Sequence, residues 1–227
     1  AGPGKFHSFR SITTGVFALL DEGGYLGLLR NKIYGGDHAG GSNGQYGVFL
    51  GSSGEYTLRN NMIHGGNGPF HSGNDHAATG IRLNPGTYAA DITYNTIYAG
   101  MHVSPNLGSC FSSGAAAGQH SFVANNICLI ESSYNAAPIM GVISDALGTN
   151  KVFDAFKNNA IMMGENSSVA MINDGTNACG YQWGRVDGLS ALETCLNAGG
   201  PSIASGNVLI GAFTDVLPSW TAHGWQL

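Results

Sequence analysis

One short pattern recurs through the chain and restricts its fold more than anything else. An apolar residue is followed by one or two asparagines, then by an isoleucine or valine, and then usually by glycine. The copies read LLRNKIYGG from Leu28, LRNNMIHGG from Leu58, ITYNTIYAG from Ile92, FVANNICLI from Phe122, FKNNAIMMG from Phe156 and IASGNVLIG from Ile203. The aligned asparagines are Asn31, Asn61, Asn95, Asn125 (with Asn126 as its alternative), Asn159 and Asn207, and the intervals are about 30 to 34 residues, with a last one of 48. A second element precedes most copies: TGVFAL from Thr14, YGVFLG from Tyr46, TGIRLN from Thr79, APIMGVI from Ala137 and VAMIND from Val169. In the fourth unit its place is held by CFSSGAAAGQ from Cys110.

Self-similarity at a period of roughly 20 to 50 residues means stacked units, each too small to bury its own apolar face. These units hold short β-type runs and no helical period. A leucine-rich repeat would alternate strand with helix, and a propeller blade would need four strands per unit. The pattern therefore predicts an all-β fold, a single-stranded parallel β-helix (solenoid) of about six coils. Within each coil, Leu58 and its equivalents point inward, the Asn60–Asn61 pair makes the bend between two sheets, and Ile63 points inward again. Asparagine tolerates the left-handed backbone such a bend requires. Stacked coils place amide over amide, as in the ladders of cross-β structures. Six coils at about 4.8 Å each make a rod of roughly 29 Å.

Composition agrees. Gly contributes 36 of 227 residues, charged residues only 10%, and hydrophobic residues 43%. That mixture suits many short strands joined by tight turns, and it lacks the Glu and Lys of long amphipathic helices. Net charge is −5 with the basic residues scattered, so no basic stripe exists for nucleic acid. No apolar run approaches the roughly 18 residues that a membrane helix needs.

The long last interval holds an excursion, about residues 174–200, in which Asp187–Asn197 reads as a short helix. The whole chain, residues 1–227, reads as one domain, with coils over about 12–211 and a cap over 212–227. Phe6 and Phe9 at one end, and Trp220 and Trp225 at the other, are candidates to cover the open sheet edges. Cys179 and Cys195 bracket the excursion, and Cys110 and Cys128 are the other possible pair; four cysteines allow three pairings, or four free thiols. No Cys or Cys/His spacing fits zinc.

The LxNNxI units and GIxL strands resemble the right-handed parallel β-helix repeat of the pectate-lyase-like superfamily. The ending, SGNVLIGAFTDV from Ser205 followed by HGWQL, resembles the closing coil of secreted bacterial members, although Gly211 stands where that pattern often has Asp. The resemblance implies an extracellular or cell-surface protein and a groove along one sheet that faces polysaccharide. It does not choose among lyases, hydrolases, epimerases, tailspikes and adhesins, which share the scaffold.

Two loops carry Asp-His pairs: Asp37 and His38 in GGDHAGG, and Asp75 and His76 in SGNDHAATG. Both follow a coil exit, so stacking brings them to one side of the rod. They are the candidates for acid/base work or for calcium, the one cofactor this sequence admits. Tyr34, His64 and Tyr98 occupy matching positions and form a possible outward aromatic row, with Arg82 and His102 nearby as further ligand-binding candidates. No carboxylate pair repeats at one strand position in adjacent coils, and Asp91, Asp145, Asp154 and Asp174 read as isolated turn residues. The expectation is therefore a non-catalytic secreted or surface module that binds carbohydrate or another surface, or serves as a rigid scaffold. A polysaccharide lyase or glycoside hydrolase is the alternative. Binding to ice or mineral would need a flat array of Thr, which is missing.

Overall fold

The computed structural model describes residues 19–20, 24–35, 45–50, 54–66, 78–83, 88–99, 108–113, 119–130, 139–142, 152–162, 168–173, 182–198 and 202–211. Within them the chain passes six times through three sheets. The first pass is β1 (Leu19–Leu20), β2 (Gly24–Leu29) and β3 (Lys32–Tyr34). The second is β4 (Gln45–Leu50), β5 (Gly54–Arg59) and β6 (Met62–His64), and the third is β7 (Ala78–Leu83), β8 (Tyr88–Thr93) and β9 (Thr96–Tyr98). The fourth is β10 (Ser109–Ser113), β11 (Gln119–Ala124) and β12 (Ile127–Leu129), and the fifth is β13 (Ile139–Val142), β14 (Phe153–Lys157) and β15 (Ala160–Met162). The sixth begins with β16 (Ser168–Asn173), detours through β17 (Gln182–Asp187) and helix α1 (Leu189–Asn197), and returns through β18 (Ala204–Ser205) and β19 (Val208–Ile210). Each sheet takes one strand per pass, so neighbours in a sheet are parallel and one pass apart; β17, antiparallel to β16, is the exception.

The register explains the core. In the second sheet, Leu28, Leu58, Ile92, Val123, Phe156 and Ala204 lie side by side across successive strands. In the third sheet the same holds for Ile33, Ile63, Ile97, Cys128 and Ile161, and in the first for Val48, Ile81, Phe111, Ile139 and Ala170. All of these are buried, and the three columns converge on one apolar core. Side chains alternate along a strand, so each pass sends one face of every strand to this core. Burial of each large side chain contributes roughly 1.5–3 kcal/mol. The first pass enters with a register unlike the sequence alignment: Leu19, not Phe17, lies beside Phe49.

The bend between the second and third sheets is the same in every pass. A residue with left-handed backbone stands just before the aligned asparagine: Arg30, Asn60, Tyr94, Asn125, Asn158 and Gly206, with φ between 54° and 68°. The rung of the fourth pass is accordingly Asn126, not Asn125, which is the left-handed residue. From Asn61 onward, each asparagine oxygen accepts two hydrogen bonds from the rung before it. For Asn95 these are the Asn61 backbone N–H at 3.0 Å and the Asn61 Nδ2 at 2.9 Å. The same pair joins Asn31 to Asn61, Asn95 to Asn126, Asn126 to Asn159 and Asn159 to Asn207, at 2.9 to 3.1 Å. The second hydrogen of Nδ2 goes back to a carbonyl of the preceding pass, as from Asn61 to Leu28 O and from Asn95 to Leu58 O, both 2.8 Å. Both polar ends of these buried amides are thus satisfied, which is the condition for burying them at all.

The cysteines close the fourth pass upon itself. In the first sheet Gly47 and Gly80 are neighbours, and a Cβ on either would meet Cγ2 of Ile63 or Ile97 across the core at 2.7 or 2.3 Å. In the fourth pass Cys110 continues the glycine column and Cys128 the isoleucine column, and a disulfide joins them, with Cα atoms 5.8 Å apart. Cys195, on α1, is also disulfide-bonded; Cys179, the partner expected from sequence, lies outside the described residues. The free-thiol alternative is thereby overturned for Cys110, Cys128 and Cys195. Helix α1 buries Leu192, Cys195 and Leu196 against the end of the stack. No helix among the described residues is long and apolar enough to cross a membrane. The candidate end caps Phe6, Phe9, Trp220 and Trp225, with residues 212–227, lie outside the described residues.

Candidate functional site

The outer face of the second sheet is built by the same alternation that fills the core. Counting back from each of the first four rungs, the residues two, four and six positions earlier lie on the face opposite the core column. One outward row runs Tyr25, Glu55, Ala89, His120, and the next Gly27, Thr57, Asp91, Phe122. A third runs Leu29, Arg59, Thr93, Ala124, Lys157. Pairing slips between Ser121 and Phe122, which leaves Asp154 of β14 as an extra residue. Such a bulge re-aims a side chain, and Asp154 meets His120, whose Nδ1 lies 3.0 Å from Oδ1 and 3.2 Å from Oδ2.

Three large aromatic side chains stand open on this side: Tyr25 is 58% exposed, Phe122 46% and Tyr94, at the bend, 59%. Tyr25 and Phe122 lie three strands apart, roughly 14 Å along the stack at about 4.8 Å per pass. Between them Arg59 donates from its guanidinium to Asp91 Oδ2 in an ion pair. That hydrogen bond and the charge of Asp91 hold the Arg59 guanidinium above its ordinary pKa. The second carboxylate oxygen, Asp91 Oδ1, has no hydrogen-bond partner although it is shielded from solvent. The face thus combines open ring faces, a carboxylate fixed by an arginine, a His-Asp pair and the free hydrogen-bonding capacity of Glu55. Sugars are bound by such sets, with rings stacking on their C–H faces and charged groups taking their hydroxyls. Among the described residues no cluster of His, Cys, Asp or Glu could hold a metal ion.

The residues chosen from sequence fall differently. Tyr34, His64 and Tyr98 do stack, in the third sheet, with ring centroids 4.9 and 4.4 Å apart. His64 and Tyr98 are only 4% and 2% exposed, and His64 Nδ1 accepts the Gly66 N–H at 2.8 Å. The His64 ring is packed between its two neighbours and Tyr98 is closed to solvent, whereas Tyr34, at the end of the row, is half-buried. Arg82 lies on the first sheet, half-buried, and donates to Ser112 Oγ at 3.3 Å. Asp37, His38, Asp75, His76 and His102 lie outside the described residues, as do Asp145 and Asp174. Asp91 and Asp154, read from sequence as turn residues, stand on strands β8 and β14. The outer-face residues do not repeat and so give no sequence signal of their own; counting back in twos from the first four rungs finds them, except Tyr94 at the bend and the bulged Asp154.

Comparison with known protein families, characterised proteins and solved structures returns no match for this chain. Its class is defined by its own geometry: an all-β stack of parallel sheets with an asparagine column at one corner and an open aromatic and charged face on the adjoining sheet.

Proposed function

We propose that this chain is a right-handed parallel β-helix of the pectate-lyase-like type, and that it serves outside the cell as a non-catalytic module binding a polysaccharide along the outer face of its second sheet. Right-handed winding is the rule for connections between parallel strands of one sheet. Disulfides in a small-core β protein favour an oxidising compartment, and Cys110–Cys128 is one. The observation that carries the binding assignment is the exposure of Tyr25, Tyr94 and Phe122 beside the Arg59–Asp91 and His120–Asp154 pairs. Isolated exposed apolar residues are ordinary; aromatic ones grouped with fixed charged partners mark a recognition surface.

A lyase or hydrolase is the second reading, and one feature favours it. Glu55 and Asp91 are diagonal neighbours on adjacent strands, and glycoside hydrolysis uses two carboxylates flanking one bond. Against it, Glu55 is exposed and Asp91 is engaged by Arg59, whereas the general acid of that chemistry sits in an apolar pocket. Calorimetry against a panel of acidic and neutral polysaccharides, with and without calcium, separates the readings. Retention without new reducing or unsaturated ends, lost in Tyr25→Ala/Phe122→Ala, supports the binding module. Chain cleavage abolished by Asp91→Asn would establish the enzyme, and absence of any glycan binding would remove both.

A further inference from the structure

The asparagine column has a direction. Every rung gives its backbone N–H and one Nδ2 hydrogen to the next oxygen toward the C-terminal end, so that end finishes with two donors in need of an acceptor. The last asparagine, Asn207, has no seventh asparagine to meet. Instead its Nδ2 donates to Glu193 Oε1 at 2.9 Å, and its backbone N–H reaches the same oxygen at a longer 3.4 Å. This is the two-donors-to-one-oxygen pattern of the five inner steps, with a carboxylate where the next amide would stand. Asn207 Nδ2 also reaches back to Phe156 O at 3.0 Å, as an inner rung does.

The acceptor is delivered by α1, the helix inserted in the sixth pass. One turn after Glu193, Asn197 covers the neighbouring strand edge. Its Oδ1 accepts from the Ile203 and Ala204 N–H groups, both at 2.8 Å, and its Nδ2 donates to Ala204 O at 2.9 Å. Two side chains four residues apart lie on one face of a helix, and here both address backbone or rung groups at the end of the stack. A carboxylate accepts but cannot donate, so the pattern stops at Glu193, whereas an amide would present new donors beyond it.

We infer that Glu193 is the terminating rung of the column, and that the detour through β17 and α1 exists to bring this acceptor and Asn197 onto the donor end of the stack. The test is site-resolved amide hydrogen exchange by NMR on the full chain, comparing wild type with Glu193→Gln, Glu193→Ala and Glu193→Asp. Gln keeps an oxygen at the same reach; Ala removes it and Asp withdraws it by one methylene. Exchange at the Asn207 backbone and side-chain amides and within α1 is expected to rise about tenfold or more in the Ala and Asp variants, because a shielded donor is left unmatched. In the Gln variant it is expected to stay within about threefold of wild type, and the Asn31–Asn61 end is expected to be unmoved in all three. Glu193→Asp also covers the case in which the Ala variant fails to fold. Equal exchange in all four proteins, or Gln as fast as Ala and Asp, would overturn the assignment.

Discussion

Two parts of the molecule share one register and obey opposite rules. At the corner, the same residue type recurs in all six passes, and from the second pass on it is buried and its amide is matched on both sides. On the outer face of the second sheet, two residues away along the same strands, nothing repeats: Leu29, Arg59, Thr93, Ala124 and Lys157 fill one row. The corner repeats because each rung must be both donor and acceptor to an identical neighbour. The face varies because its cross-strand contacts, such as Arg59–Asp91 and His120–Asp154, do not require an identical neighbour. Repetition in such a chain marks architecture, and its absence marks where a ligand-specific surface can be written.

The largest effect should come from breaking the corner at its centre. Asn95→Ala leaves the Asn61 donors and the Leu58 carbonyl unmatched and removes the Nδ2 donor to Asn126 Oδ1, the backbone N–H of residue 95 remaining. At about 1–3 kcal/mol for each buried group left unpaired, a loss of roughly 4 kcal/mol in chemical denaturation is expected. A loss below about 1 kcal/mol would show that the column is not cooperative.

The disulfide comes next. Removing Cys110–Cys128 as a double alanine variant should cost about 3 kcal/mol for a loop of this length. Cys110→Gly/Cys128→Ile restores the pairing used by Gly80 and Ile97 in the pass before. It should recover part of that loss in the same denaturation assay, because the isoleucine refills the space the alanines leave empty.

The left-handed position sharpens the comparison further. Gly206 has φ 68° and a Cβ there would displace the exposed Asn158 side-chain oxygen, so Gly206→Ala should destabilise by about 1–2 kcal/mol. At the equivalent Tyr94 the sign reverses. Glycine would relieve about 1 kcal/mol of left-handed strain, so Tyr94→Gly is expected to hold or raise the melting temperature while it weakens glycan binding. A variant that lost both together would merge the two regions that the comparison separates.

The smallest effect on stability belongs to the face. Tyr25→Ala and Phe122→Ala should change stability by less than about 0.5 kcal/mol and yet abolish polysaccharide retention.

The corner was legible in sequence because its physics demands one residue type at one place. Asparagine both hydrogen-bonds along the column and tolerates the left-handed position, as Asn60, Asn125 and Asn158 do. That double use is also why Asn125 and Asn126 were indistinguishable until the backbone showed which was left-handed. The helix expected at Asp187–Asn197 forms at Leu189–Asn197, since Asp187 is held in β17 beside Ser168. Stacking of Tyr34, His64 and Tyr98 followed from the period, but the burial of His64 and Tyr98 did not, because alternation says which way a side chain points and not what packs over it. The outer face was obscured by having no repeat to read and by the bulge that puts Asp154 out of step.

Everything rests on the corner, and side-chain amide exchange reads it most directly. In a protein labelled with nitrogen-15, the Nδ2 hydrogens of Asn61, Asn95, Asn126 and Asn159 should exchange orders of magnitude more slowly than those of an exposed asparagine. They should also stay unmoved when polysaccharide is added and the amides of β2, β5, β8 and β11 shift. Exchange of those four amides at the rate of a free asparagine side chain would contradict the account.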